Sequence, residues 1–176
     1  MVQYRRSRLA GGTYFFTLTL RDRRSFHLVN HINHLRNAFR AARKKSPFII
    51  HAIVVLPEHL HTIWELPAED DDYPKRWRFI KSHYTRALVK GGVNLIKNER
   101  GEYNLWQRRY WEHQIRDESD MKRHFDYIHY NPVKHRYVPA VSDWPYSSFH
   151  RYVKLGWLSN DWGIGFKESD GISYGE

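Results

Sequence analysis

A chain of 176 residues has room for one domain with a real core. It carries 29 Lys and Arg against 19 Asp and Glu, a formal surplus of +10 that favours an anionic partner, of which nucleic acid is the commonest. The lack of cysteine excludes disulfides and thiolate metal sites. The early apolar run Tyr14 to Leu20 is interrupted by Thr17 and Thr19 and closed by Arg21, too short and too polar for a signal core or a membrane span, so a soluble cytoplasmic protein is expected. Aromatic residues make up 16% of the chain, which suits base stacking and core filling equally well.

Gly11-Gly12 separates a basic N-terminal segment from a first strand, in which Phe16, Leu18 and Leu20 alternate with Thr17 and Thr19. From about Asn30 to Lys45 the apolar stripe Ile32, Leu35, Phe39 and Ala42 predicts a helix, stopped before Pro47. The β-branched run Phe48 to Leu56 predicts a second strand, and Pro57-Glu58 turns it into a third, His59 to Leu66. A second helix runs to about Lys90 with Asp72 or Tyr73 as N-cap and Pro74 in its first turn, burying Trp77, Ile80, Tyr84 and Leu88; Gly91-Gly92 ends it. Val93 to Tyr103 reads as a loop or weak hairpin, and Trp106 to Ile115 as a fourth strand. A third helix begins near Ser119 and is expected to stop at or before Asn131, because Pro132 disfavours helical dihedrals there. A short helix follows around Ser147 to Leu155. The order predicts an α+β protein: a ferredoxin-like antiparallel β-sheet with packed α-helices. We expect one domain over residues 1–157 and a C-terminal tail over 158–176, the tail either covering the site or disordered.

The most informative motif is Pro57-Glu58-His59-Leu60-His61. Residues two apart on a strand share a face, so His59 and His61 stand side by side while Leu60 points into the core. Of twelve histidines, these form the only pair at this spacing. Two imidazoles suit one metal ion; an oxygen ligand from elsewhere would move the choice towards Mg or Mn. On the third helix, His124, Tyr127 and Asn131 fall on one stripe at spacings of three and four. A metal would act as a Lewis acid on phosphate oxygens and orient a scissile bond for attack by such a tyrosine; the plainer alternative is a half-buried packing residue.

These residues sit within an ordered set of segments: Gly11-Gly12-Thr13-Tyr14-Phe15-Phe16-Thr17, Val54 to His61, Trp106-Gln107 through Trp111-Glu112-His113, Asp126-Tyr127-Ile128, Asn131-Pro132-Val133-Lys134-His135, and Ser142 to His150. The set runs over most of the chain and resembles the REP-associated tyrosine transposases, which belong to the HUH single-tyrosine nucleases. The resemblance implies that His59 and His61 are the HUH metal pair, Asn131 the polar residue completing the metal site, Tyr127 the nucleophile, and Mg2+ or Mn2+ the cofactor. It implies a substrate of single-stranded DNA hairpins, the repetitive extragenic palindromes, and a transesterification through a 5′-phosphotyrosine that releases a 3′-hydroxyl. It leans towards a monomer, with a dimer as the alternative. The chain departs from the family pattern at His129, where some relatives carry Tyr, and at Arg108, within the family's Gln-Pro-Arg. His124 and His129 are possible auxiliaries, and Arg5, Arg6, Arg21, Arg23, Arg24, Arg108, Arg109, Lys134, Arg136 and Arg151 are expected along the DNA track. The alternative reading is a non-catalytic regulator that binds structured single-stranded nucleic acid on the same fold.

Overall fold

The computed structural model describes residues 8–165 and 174–175. Four strands form one antiparallel sheet: β1 (Thr13–Thr19), β2 (Ile49–Val55), β3 (His59–Glu65) and β4 (Trp111–Gln114), in the spatial order β2-β3-β1-β4. Alternation along β1 and β3 gives the sheet two distinct faces. Tyr14, Phe16, Leu18, Leu60 and Trp64 meet α2 (Ile32–Lys45) and α3 (Tyr73–Lys90) in the larger core. Phe15, Ala52, Val54 and Ile63 lie on the other face, under α4 (Glu118–Lys134). A one-turn helix, α1 (His27–Asn30), precedes α2, and α5 (Phe149–Lys154) follows a short 3-10 turn at Val141–Asp143.

The strand order and helix placement are those of the ferredoxin-like α+β arrangement the sequence predicts. Local chemistry explains the elements. The Asp72 carboxylate caps α3 by accepting from the Lys75 amide at 3.1 Å, with Pro74 in the first turn. Trp77, Ile80, Tyr84 and Leu88 are fully buried, and Trp77 stacks on Trp64 at 3.9 Å between ring centroids. Asp117 caps α4 by accepting from the Asp120 amide at 2.7 Å.

Two expectations are corrected. The fourth strand is only Trp111–Gln114; Trp106 makes an isolated bridge to Leu20 just past β1, the Gln107 amide donates to the Thr19 carbonyl at 2.9 Å, and the Gln107 carbonyl is taken by the Lys81 ammonium at 2.8 Å. The helix carrying Tyr127 does not stop at Asn131 but runs through Pro132 to Lys134. An internal proline costs roughly 3 kcal/mol in lost bonding and steric conflict. Here Asn131 and Pro132 are both buried against the sheet layer, and the bonds beyond the proline re-form, with the His135 amide on the Asn131 carbonyl at 3.0 Å and the Tyr137 amide on the Pro132 carbonyl at 3.0 Å. Burial and these closing bonds offset the local penalty. No helix among the described residues is long and apolar enough to cross a membrane.

Candidate metal and tyrosine site

His59 and His61 project from β3 onto the face covered by α4, both fully buried, with ring centroids 4.9 Å apart. Each ring is held through Nδ1. The His59 Nδ1 meets Glu58 Oε1 at 2.8 Å. A carboxylate can only accept, so this bond puts the His59 proton on Nδ1 and the lone pair on Nε2. The His61 Nδ1 meets Thr17 Oγ1 at 2.8 Å, across the β1–β3 register that pairs Thr17 with His61. The Thr17 hydroxyl donates its own proton to the Tyr174 carbonyl at 2.5 Å, so it accepts from His61 and sets the same tautomer there. Two neutral imidazoles with Nε2 lone pairs, oriented by partners behind them, are the donor set a divalent ion takes.

Glu58 is itself anchored. The Arg23 guanidinium lies 3.5 Å from its Oε1 and the Tyr137 hydroxyl donates to its Oε2 at 3.3 Å. Burial alone would raise the Glu58 carboxyl, but the hydrogen bond from His59, with the Arg23 charge beyond, holds it below the ordinary carboxylate value. Burial first, and the Glu58 charge second, push the Tyr137 phenol up to about 12, so it stays a donor.

The α4 stripe His124, Tyr127 and Asn131 faces the sheet and is buried throughout. The Tyr127 ring lies 5.1 Å from that of His61, at 73°, and Asn131 follows one helical turn later on the same side. The Lys134 ammonium sits 3.3 Å from the Tyr127 hydroxyl and 4.6 Å from its ring centroid. Tyr174 stacks on Tyr127 at 3.5 Å and 9°, which leaves Tyr127 only 3% exposed.

The two possible auxiliaries lie apart from this group. His124 is separated from His61 by the Phe15 ring, which contacts both. His124 belongs with His113 and Asp120, whose ligand-type atoms lie within 4.8 Å of one another and form a His/Asp set of metal-binding composition. The His113 and His124 rings stack with planes 13° apart. As folded, this set ties β4 to α4, with His113 Nε2 on Asp120 Oδ2 at 2.7 Å. His129 points away from Tyr127, into a pocket of Phe125, Tyr152 and Ser148, with its Nε2 2.9 Å from Ser148 Oγ. Burial pulls its imidazole down to about 3, so it is neutral.

The expected DNA contacts divide. Arg5 and Arg6 lie outside the described residues. Arg21, Arg24, Arg108, Arg109 and Arg136 are exposed, whereas Arg23 and Lys134 turn into the site. The Arg151 guanidinium donates to the Ile50 and His51 carbonyls, which joins α5 to the edge strand β2. Sequence reading passed over Thr17, Glu58 and Tyr174. Thr17 was visible as the polar residue opposite His61 once the register is known; Glu58 reaches back to its own neighbour, which strand alternation does not foretell.

The profile of the family described as "Transposase IS200 like" matches residues 10–131. A REP-associated tyrosine transposase of Escherichia coli (strain K12) is 48% identical over 162 residues, covering 92% of this chain and 91% of its own. A relative in Haemophilus influenzae is 47% identical over 165 residues, covering 93% and 94%. A solved structure, described as that of a REP-associated tyrosine transposase bound to a REP hairpin, shares 46% identity and a TM-score of 0.88, covering 100% of this chain and 98% of that one. With matches over nearly its whole length, the chain belongs to the REP-associated tyrosine transposases, within the IS200-like transposase family.

Proposed function

We propose that this protein is a metal-dependent, single-strand DNA transesterase that cleaves and rejoins DNA at repetitive extragenic palindrome hairpins. The observation that carries the reading is the Tyr127 phenol beside two imidazoles whose Nδ1 atoms are both pinned, with an ammonium 3.3 Å from the phenol oxygen. Family membership and the hairpin-bound relative supply the substrate class.

His59 and His61 would hold Mg2+ or Mn2+ through Nε2, with Asn131 supplying an oxygen; the donor set, two nitrogens and an amide oxygen, suits a borderline-hard ion. When bound, the ion withdraws charge from a phosphate oxygen and fixes the scissile phosphodiester. The chain's own residues do the rest. The Tyr127 oxygen attacks phosphorus, the bond to the 3′-oxygen breaks, and a 5′-phosphotyrosine and a 3′-hydroxyl result, the phenol losing a proton and the leaving oxygen gaining one. Lys134 stabilises negative charge on the phenol oxygen as it approaches phosphorus. One ester replaces another, so a second 3′-hydroxyl reverses the step without ATP.

The test is adduct formation on a labelled palindrome with its flanking single strand, in Mn2+. The wild-type protein is expected to give a covalent species on denaturing gels. Tyr127→Phe abolishes it and Lys134→Met slows it roughly 10- to 100-fold, the loss of one charge-stabilising contact. An undiminished adduct from Tyr127→Phe would remove Tyr127 as nucleophile; hairpin binding with no adduct under any metal would leave only a regulator.

A further inference from the structure

Three histidines outside the tyrosine site recur at helical spacing. His27, His31 and His34 are four and three residues apart, where α1 runs into α2. The two helices meet at His31, whose φ of −118° and ψ of 34° break the regular path. Helical bonding carries across the break even so. The His31 amide bonds the His27 carbonyl at 3.0 Å, and the Leu35 amide bonds the His31 carbonyl at 3.3 Å. Positions i, i+4 and i+7 therefore share one face, with a rise of about 6 Å for each four residues.

The rings follow that spacing. The His27 and His31 ring centroids are 5.7 Å apart with planes at 33°, and those of His31 and His34 are 6.2 Å apart at 24°. An ion bound roughly 2.1 Å from nitrogen holds each imidazole centre about 3.2 Å away, so two rings on one ion stand at most about 6.4 Å apart. Both separations fall inside that limit. All three side chains are partly exposed, so rotation about χ1 and χ2 is open to turn their nitrogens onto one ion.

The nitrogens are also available. Among the described residues, no ring nitrogen of His27, His31 or His34 has a hydrogen bond or an ion pair. Burial first, then the charges of His27 and His34, hold His31 below its ordinary value, so at pH 7 its ring is neutral and offers a lone pair. The cluster of His113, Asp120 and His124 is the opposite case, with His113 Nε2 and His124 Nδ1 both taken up by Asp120.

The geometry points to a second metal site, in which His27, His31 and His34 chelate a borderline transition ion such as Zn2+ or Ni2+ at the surface, separate from the ion at His59 and His61. Imidazole donors select such ions over Mg2+ and Mn2+. Two histidines one helical turn apart are a chelate that zinc enzymes use, and the third joins from the next turn. The ion ties α1 to α2 across the break at His31. α1 in turn braces the hairpin turn before Glu58, since the Leu28 amide bonds the Pro57 carbonyl at 3.1 Å, and the Tyr84 hydroxyl anchors α1 by donating to the His27 carbonyl at 2.7 Å.

The untagged full chain on immobilised Ni2+ provides the test. Such a column reads only histidines that a fixed ion can reach, which the fully buried His59 and His61 are not. The wild-type protein is expected to be retained and to elute with imidazole. His27→Asn/His31→Asn and His31→Asn/His34→Asn are expected to elute early, while His83→Asn, at another partly exposed histidine, elutes as wild type. Two pairs guard against one folding badly, and each is first checked for a cooperative melt without metal. In solution, Zn2+ at a hundredfold excess over its Kd is expected to raise the melting temperature of the wild type by about 5–10 °C more than that of either pair. The difference removes any contribution from Zn2+ at the tyrosine site. Adduct formation in Mn2+ is expected to persist in both pairs. Wild-type elution by both pairs would overturn the site, as would an equal Zn2+ shift in all three proteins or a wild-type chain that the column does not retain. Loss of the adduct in both pairs would overturn its separateness, making these histidines part of the tyrosine chemistry.

Discussion

Thr17 and Glu58 decide what His59 and His61 can do. A neutral imidazole binds a metal through whichever nitrogen lacks the proton, and here a hydroxyl and a carboxylate each claim Nδ1–H. Removing such an outer partner typically costs 10- to 100-fold in metal affinity. Thr17→Val keeps the volume and loses the acceptor, so Mn2+ binding by calorimetry, in the absence of DNA, is expected to weaken by that factor; unchanged affinity would mean Thr17 serves only packing. His129 illustrates the opposite case, a histidine withdrawn from chemistry. Its folded value of about 3 lies below the ordinary 6.5 because it is buried. Between those values the unfolded chain binds a proton that the folded chain refuses, so stability is greatest above 6.5 and falls as pH drops towards 3. One proton corresponds to about 1.4 kcal/mol per pH unit. His129→Asn, whatever its absolute stability, is expected to flatten that slope between pH 6 and 4 by most of one proton in denaturant titrations; an unchanged slope would show that His129 titrates normally.

At the scale of elements, most of the fold was legible because its signals are local and strong. The alternation of β1, the period of α2 and α3, the Asp72 cap and the hairpin at Pro57-Glu58 are all readable from neighbours in sequence. The misreadings came where tertiary packing overrode a local rule. Pro132 argues for a helix end, yet burial of Asn131 and Pro132 carries α4 onward and brings Lys134 to Tyr127, seven residues away and two turns along. The helix ends at Lys134 with His135 as its C-cap, and the next residue, Arg136, holds a left-handed backbone with φ of 59°. That is the conformation in which glycine most often terminates helices. Arg136→Gly is therefore expected to raise stability by about 0.5–1 kcal/mol in urea titrations, since it relieves the cost of a side chain at positive φ. A loss of stability would mean that the exposed Arg136 side chain contributes more than its backbone costs.

At the scale of the whole molecule, the site is assembled from four distant parts of the chain: Thr17 on β1, the histidines on β3, Tyr127 to Lys134 on α4, and Tyr174 near the C-terminus. The histidines, Tyr127 and Asn131 were recoverable from motif and spacing, but Thr17 needs the strand register, and the contact with Tyr174 joins residues 157 apart and has no sequence signature. Its consequence is steric. The Tyr127 phenol, 3% exposed beneath the Tyr174 ring, cannot meet a phosphodiester until that ring leaves. A stacked aromatic pair contributes about 0.5–1.5 kcal/mol beyond area burial. At about 1.4 kcal/mol per tenfold, losing it shifts the uncovered population by roughly two- to tenfold. Tyr174→Ala is therefore expected to speed the first formation of the covalent adduct by that factor on a saturating hairpin, while the Thr17 bond, which goes to a backbone carbonyl, persists. Saturation matters, because it separates uncovering the phenol from any gain in DNA affinity. An adduct rate equal to wild type would show that the ring swings clear faster than the chemistry proceeds; a slower rate would make Tyr174 a support for the nucleophile instead of its cover.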